Sequence, residues 1–562
     1  MRRALAPLIA LTVVVAVPPA SAQRREPPPN RVSFTAAQGD SLLVHGEYPP
    51  VQSSCVDATQ PLLHARYRGT VEVLRAGDGS LSLIGELSFE DYLKGIAEVP
   101  RDWPMEALKA QVVAARSYAL NRMLAGSGSG EYDLCATTAC QVYVGMKIEA
   151  GPHGDRWIQA VEETASEVLL FRGHPATTYY SSTSPGRTFD VEDVFGGEAL
   201  PYLRGGPERD DHASPLARWR VEVPFEDLSR FLAAEGLWGG GPIRGVNASG
   251  GSITIEGAGR ASLSKESLRD ALNSTASCMM PARYPTYEKD GYRLPQAVPS
   301  RWYRAGQAGN ALVLQGRGWG HGIGMVQWGA FGKAERGLGY DEILADYYGG
   351  LTPEPTEVPG AIRILIAEGL TRLTIVPSGE ASVEPNPGRT GPWLVTGGRG
   401  VRLRQGQRPA PLLQATGFTG PPRARPGQPY AASLTVSDDA GVSLEFRGKG
   451  GDFSEAAPPV VLEEEETRLE AVVPNLPEGR YDLHAVVSDG VDVVTTPAIP
   501  VRVRAAAAAE TAVPSPTGPT QAAPVADGDG PPIGLLLAGA LLVAILLFLG
   551  LTRRRGRGLH RP

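Results

Sequence analysis

The chain has 562 residues, with 68 Gly and 49 Pro, and a net charge of −7. The length exceeds one small core and calls for two or three domains; the Gly and Pro content favours loops and β structure. Setting aside the two arginines near the start and the five near the end leaves a body of about −14, which excludes a nucleic-acid binder and leaves a substrate that is neutral, cationic or bound locally.

The chain opens "MRRALAPLIALTVVVAVPPASAQ". A basic pair, an apolar run and Ala20-Ser21-Ala22 have the form of a signal peptide over 1–22, with Gln23 as the mature start. Residues 23–31 are rich in Pro and Arg and carry no element. From Val32 to about Ile84, alternating runs such as "GTVEVLR" and "LSLIGEL" predict strands. Ser88 with Asp91 three residues on predicts a capped short helix in "SFEDYLKGI", stopped by "EVP". "DWP" then opens a longer helix with Pro104 in its first turn. Its small and apolar residues Ala107, Leu108, Val112, Ala115 and Ala119 cover more than one face, so the helix is expected to be buried.

Residues 130–210 are loop-rich and include "TTYYSSTSPGRTFDVEDVFGG". Strands and a helix, "EDLSRFLAAEGL", follow. "GRGWGHGIGMVQWGA" then spans 316–330, ahead of a helix in "YDEILADYY". Residues 361–405 hold further short strands. From about 409, runs such as "ASLTVSD", "VSLEFRG" and "YDLHAVVSD" alternate at short spacing without helices, which points to an immunoglobulin-like sandwich. An Ala/Pro/Thr-biased stalk covers 505–532. Residues 533–551 are uncharged and long enough to span about 30 Å. The basic tail 552–562 would then face the cytoplasm, with the body exported and tethered by its C-terminus.

No Walker loop, His-Glu-x-x-His or Gly-x-Ser-x-Gly occurs, and the Gly-rich 316–330 stretch lacks the strand–helix setting of a dinucleotide fingerprint. Its glycines read as backbone packed too closely for side chains, with His321 and Gln327 emerging at a cleft wall; a tight turn around a satisfied buried histidine is the plainer alternative. Glu98, flanked by Ile96, Ala97, Val99 and Pro100, is a carboxyl in apolar company. Such a group holds its proton towards neutrality, as a general acid must; an exposed Glu at a helix end is the alternative. The four cysteines suit an exported chain with disulfides. Cys135 lies close to Cys140, which leaves Cys55 and Cys278 to each other; a zinc pair at Cys135 and Cys140 is the rival, although "YDLCATTACQVY" offers no histidine.

"SFEDYLKGIAEVPRDWPMEALKAQVVAARSYAL", "DLCATTACQVYVG", "TTYYSSTSPGRTFDVEDVFGG", "GRGWGHGIGMVQWGA" and "YDEILADYYGG" occur together in this order. Over about residues 32–350 the chain resembles the SpoIID/LytB family, named for a sporulation protein and an amidase enhancer. The resemblance implies a peptidoglycan-active domain. The sporulation member is a lytic transglycosylase of glycan strands stripped of stem peptides, with one catalytic Glu before the "MP" of "YLxGVVxxEMP". That position matches Glu98, although the loop after Gly95 is two residues shorter here and Val99 replaces Met. Some sporulation members hold zinc in the Cys-containing stretch through histidines absent here, which favours disulfides.

A hydrolase generally needs two carboxyls; a lytic transglycosylase needs one, because the sugar's own C6 hydroxyl is the nucleophile. The resemblance implies that Glu98 protonates the glycosidic oxygen and then takes the hydroxyl proton, giving 1,6-anhydromuramyl ends. Tyr92, Arg116, Gln141, Ser181, Ser182, His321 and Gln327, the polar residues of the shared motifs, are expected to bind and orient the sugar. No cofactor or metal is expected. The partners expected are glycan strands and a cell-wall amidase, and the alternative function is a non-catalytic, glycan-binding enhancer of that amidase.

The expected fold is α+β: a β-rich catalytic domain with a buried helix over 32–355, a short β-rich extension over 356–408, an all-β immunoglobulin-like sandwich over 409–504, and one C-terminal transmembrane helix.

Overall fold

A computed structural model describes residues 29–49, 62–126, 130–249, 251–286, 294–385, 390–448, 454–457, 460–462 and 467–504. The expected signal peptide, stalk, membrane span, tail and Cys55 lie outside them. The described chain is α+β and β-rich. Among the described residues no helix is long and apolar enough to cross a membrane.

Two sheets and one long helix build the body that carries the cleft. The first sheet has the order Ala381–Glu384, Arg31–Ala36, Thr70–Arg75, Leu81–Leu87, Ile362–Leu370, Leu134–Cys135. Only its last pair is parallel. The second runs Arg402–Gln405, Trp393–Thr396, Arg372–Pro377, Leu42–Glu47, Leu62–Tyr67, all antiparallel. Period-two alternation turns Val32 and Phe34, Val71 and Val73, and Leu373 and Ile375 into one shared core. Residues 356–408 are therefore no appendage. Their strands lie at the centre of the second sheet and next to the centre of the first, because each N-terminal strand run leaves a sheet edge that only these later strands pair.

The short helix Phe89–Lys94 starts where Ser88 Oγ accepts the Asp91 N–H at 3.1 Å, and it stops at Gly95. The long helix Met105–Leu124 is buried on several faces. Ala107, Leu108, Val112, Ala115 and Ala119 meet the sheets. Ala110, Val113 and Ala114 meet a second core containing Met325, Ile343, Leu344 and Tyr348. Its alanines allow close approach on both sides, which is why its apolar pattern has no single stripe.

Between about 216 and 316 the chain builds an inserted body with its own core. It holds the sheet Trp219–Pro224, Ala311–Gly316, Tyr303–Ala308 and the sheet Gly245–Ser249, Ser252–Glu256, Arg260–Ser264. Helices Phe225–Ala234 and Lys265–Met279 pack Leu228, Phe231, Leu268 and Leu272 against them. Cys278 sits on the second of these helices.

From about 413 to 503 two sheets enclose one core that includes Leu434, Leu444, Phe446, Leu483 and Val501, the sandwich arrangement that the alternation predicts. It docks on the edge strand of the second sheet. His64 Nε2 lies 3.1 Å from Asp492 Oδ2, Arg66 Nε donates to the Val491 carbonyl at 2.6 Å, and Val491 packs with Leu43 and Val376.

Candidate active site

Glu98 follows the helix stop at Gly95 in a segment pinned on one side by residues 142–144. Ala97 N–H donates to the Val142 carbonyl at 2.9 Å and Val144 N–H to the Gly95 carbonyl at 3.0 Å, with Ile96 opposite Tyr143. Gly95 is required here, since a Cβ would stand 2.3 Å from the Tyr143 ring. The Val142 N–H then donates to Glu98 Oε1 at 2.7 Å. The carboxyl is half-buried at the wall of a cleft of about 510 Å³. Burial pushes Glu98 above the ordinary carboxyl value of 4.5, against the hydrogen bonds of Val142, Tyr180 and Gln327, which favour the anion.

The Gly-rich stretch forms the facing wall. Gly318, Gly320, Gly322 and Gly324 all have positive φ. At two of them space decides as well: a Cβ on Gly320 would meet Ser181 Cβ at 2.6 Å, and one on Gly324 would meet the Tyr179 carbonyl at 2.0 Å. Close approach lets Met325–Val326 pair in parallel with Tyr180–Ser181, and Gly322 N–H donates to Ser181 Oγ at 3.2 Å. The helix Gln327–Glu335 follows directly, and Gln327 Nε2 donates to the Glu98 carbonyl and to Gln111 Oε1, both at 3.2 Å. Trp328 and Phe331 pack their rings at a steep angle against Trp103, at 4.8 and 5.2 Å between ring centres, so "DWP" and "QWGAF" hold each other.

Glu98, Ser181, Ser182, His321 and Gln327 are brought together at the cleft. Tyr92, Gln141 and Arg116 do not line it. Tyr92 and Gln141 stand one layer behind in a relay: Tyr92 Oη donates to Gln141 Oε1, and Gln141 Nε2 donates to Tyr180 Oη, each at 2.8 Å. Arg116 is fully buried elsewhere, forked onto Glu90 at 2.8 and 3.1 Å and bonded to the carbonyls of Val161 and Glu167. The expectation that Arg116 binds sugar gives way to a structural ion pair, because its guanidinium has no open direction left.

His321 lines the cleft as a neutral ring. Its Nδ1 accepts the Ile323 N–H at 3.1 Å and its other nitrogen bonds the backbone at Tyr180. Burial lowers it to about 4, and its ring edges onto Tyr179 and Phe195. It therefore lacks the free basic nitrogen that a general base needs. Cys135 and Cys140 form a disulfide, with Cys140, Thr138 and Ala139 on the cleft wall.

Tyr180, Tyr118, Trp319, Arg269 and Gln296 also line the cleft and escaped the sequence reading. Tyr180 sits one residue before Ser181 in a motif already singled out, so its signal was present. Arg269 and Gln296 come from the inserted body, where no motif marks them. Burial together with the charge of Glu98 keeps Tyr180 and Tyr118 protonated well past neutrality. Glu98 is the only carboxyl among the described residues lining the cleft.

The family model for SpoIID, stage II sporulation protein, matches residues 77–171, which span Glu98, the long helix and the disulfide. The chain is 32% identical over 289 residues to an uncharacterized protein of Brachyspira hyodysenteriae, covering 51% of this chain and 71% of that one. It is 28% identical over 296 residues to the amidase enhancer of Bacillus subtilis, covering 46% of this chain but 40% of that protein. It is also 28% identical over 298 residues to stage II sporulation protein D of Bacillus amyloliquefaciens, covering 50% of this chain and 78% of that one. On these matches the chain belongs to the SpoIID/LytB family.

Proposed function

We propose that this chain is a peptidoglycan lytic transglycosylase acting on glycan strands outside the cell membrane, with the apolar segments 1–22 and 533–551 as export signal and anchor. The observation that carries the reading is a lone carboxyl, Glu98, in a cleft whose lining offers no second one among the described residues. A two-carboxylate hydrolysis has no second partner there. In the one-carboxyl reaction Glu98 donates its proton to the glycosidic oxygen as the C1–O bond breaks. The C6 hydroxyl of the same sugar closes on C1 and returns its proton to Glu98. Its raised proton affinity supports the first half of that cycle. The Val142 N–H, held 2.7 Å from Oε1, steadies the anion formed midway. Ser181, Ser182 and Gln327 supply short polar contacts for hydroxyl and acetamido groups along the strand.

The test is product analysis of peptide-free glycan strands incubated with the full chain and with Glu98→Gln. Anhydromuramyl ends from the wild type and none from the variant are expected; their absence with the wild type sinks the reading.

A second reading rests on the likeness to an amidase enhancer: a glycan-binding protein that stimulates a separate cell-wall amidase without cutting the strand. It requires amidase stimulation to survive Glu98→Gln intact.

A further inference from the structure

The inserted body carries a second concavity, of about 1290 Å³, against its sheet Trp219–Pro224, Ala311–Gly316, Tyr303–Ala308. Its charge opposes that of the chain. Among the described residues, Arg218, Arg220, Lys265, Arg301, Arg304 and Arg317 line it against one carboxylate, Glu222, in a chain of net −7. Strand alternation sets this up: Trp219, Val221 and Val223 turn into the core, which leaves Arg220 and Glu222 outside. Arg220 pairs with Glu222 at 2.9 Å. Among the described residues no carboxylate pairs with Arg218, Arg304 or Arg317, all three exposed. Uncompensated like charges repel one another, and a groove that holds them concentrates potential for an anionic ligand.

The groove and the cleft draw on neighbouring stretches of the chain. Arg317 lines the first and Trp319 the second; Arg301 lines the first and Pro299 the second. On the helix Lys265–Met279, Lys265 faces the groove and Arg269, one turn on, faces the cleft. Glu266 stands between them, 3.6 Å from Arg269 on one side and 3.6 Å from Arg301 on the other. Arg269 Nε is buried with no hydrogen-bond partner.

We propose that this groove is a second polysaccharide-binding region that takes the carboxylate-bearing continuation of a glycan strand threaded past Glu98. The inference rests on the glycan reading above for the identity of the polymer. A strand stripped of peptides exposes a lactyl carboxylate on each muramyl residue, so the part of the strand that runs beyond the cleft presents repeated anions to the row of arginines. An acidic protein thereby binds an acidic polymer locally, with Trp302 beside the arginines as an apolar surface for a ring.

The experiment measures strand binding rather than cleavage. The full chain carrying Glu98→Gln is compared with the same chain also carrying Arg218→Glu and Arg304→Glu. The probes are long peptide-free strands, the same strands with carboxylates converted to methyl amides, and a tetrasaccharide that fills the cleft alone. Expected is a loss of about tenfold or more in affinity for the long acidic strands at low salt, shrinking as salt rises. Methyl-amide strands and the tetrasaccharide should bind both proteins equally. The neutral pair Arg218→Gln and Arg304→Gln should give a smaller loss in the same direction, and unchanged thermal unfolding shows that the fold is intact. Unchanged binding of acidic strands, or an equal loss with the methyl-amide strands, overturns the groove. Tighter, charge-sensitive binding of polyglycerol phosphate than of the glycan overturns the choice of polymer. Charge-sensitive glycan binding without any anhydro product from the wild type would refute the proposed reaction while upholding the groove.

Discussion

The Gln327 side chain donates a hydrogen bond of 3.2 Å to the main-chain carbonyl of Glu98, 229 residues earlier in the chain. The same amide nitrogen reaches Gln111 on the long helix. One side chain therefore ties the Gly-rich wall, the acid-bearing wall and the helix beneath them. Gln327→Leu removes the donor at nearly equal volume. Expected are a loss of about 1–3 kcal/mol in urea unfolding and a fall of roughly tenfold to a hundredfold in kcat on peptide-free strands. Lost stability with unchanged kcat would make Gln327 a packing residue only.

The raised proton affinity of Glu98 gives stability a pH dependence of definite sign. Its folded value lies above 4.5, so its contribution is complete below about 4.5 and is lost as pH rises through the folded value. Gln cannot ionise. Glu98→Gln should therefore match the wild type near pH 4 and exceed it near pH 8 in paired denaturant titrations. In the wild type, kcat/KM should decline on the alkaline side as the same proton is lost. A variant less stable than wild type at high pH would contradict the half-buried, proton-holding carboxyl.

Arg116 holds the short helix to the long one. Arg116→Met leaves Glu90 without its partner and the Val161 and Glu167 carbonyls without this donor, and should cost about 3 kcal/mol in thermal or urea unfolding. Strand affinity of the remaining folded protein should be unchanged. A specific rise in KM with normal stability would return Arg116 to the substrate.

The Cys135–Cys140 bridge closes a small loop whose members Thr138 and Ala139 form part of the cleft. Cys135→Ser with Cys140→Ser should lower stability by about 2 kcal/mol, as expected for so short a loop, and weaken tetrasaccharide binding as the wall loosens. Equal melting temperatures under oxidising and reducing conditions would contradict this.

What could be read in the residues was local. Ser88 with Asp91 announced the first helix, and alanines all around 107–119 announced burial on several sides, because caps and periodicity act within a few residues. Glu98 was legible from its apolar neighbours and its motif. The role of Arg116 was not, since its partner Glu90 lies 26 residues away and nothing local separates a buried fork from a substrate clamp. His321 could be read either as a sugar-side group at a cleft wall or as a satisfied buried histidine; its hydrogen bonds run to backbone that only the folded turn brings near. Residues 356–408 looked like an extension because strand patterns do not name their partners. Arg269 was invisible for the same reason.

That interleaving has a consequence in time. Arg372–Pro377 is the middle strand of its sheet and Ile362–Leu370 lies inside the other. A growing chain that has not yet reached about residue 405 holds Glu98 and the Gly-rich stretch but lacks the strands that close the core beneath them. Long-range pairing of this kind comes late. The cleft is thus assembled only once nearly the whole body has been made, so a half-synthesised chain carries every cleft residue and no finished cleft.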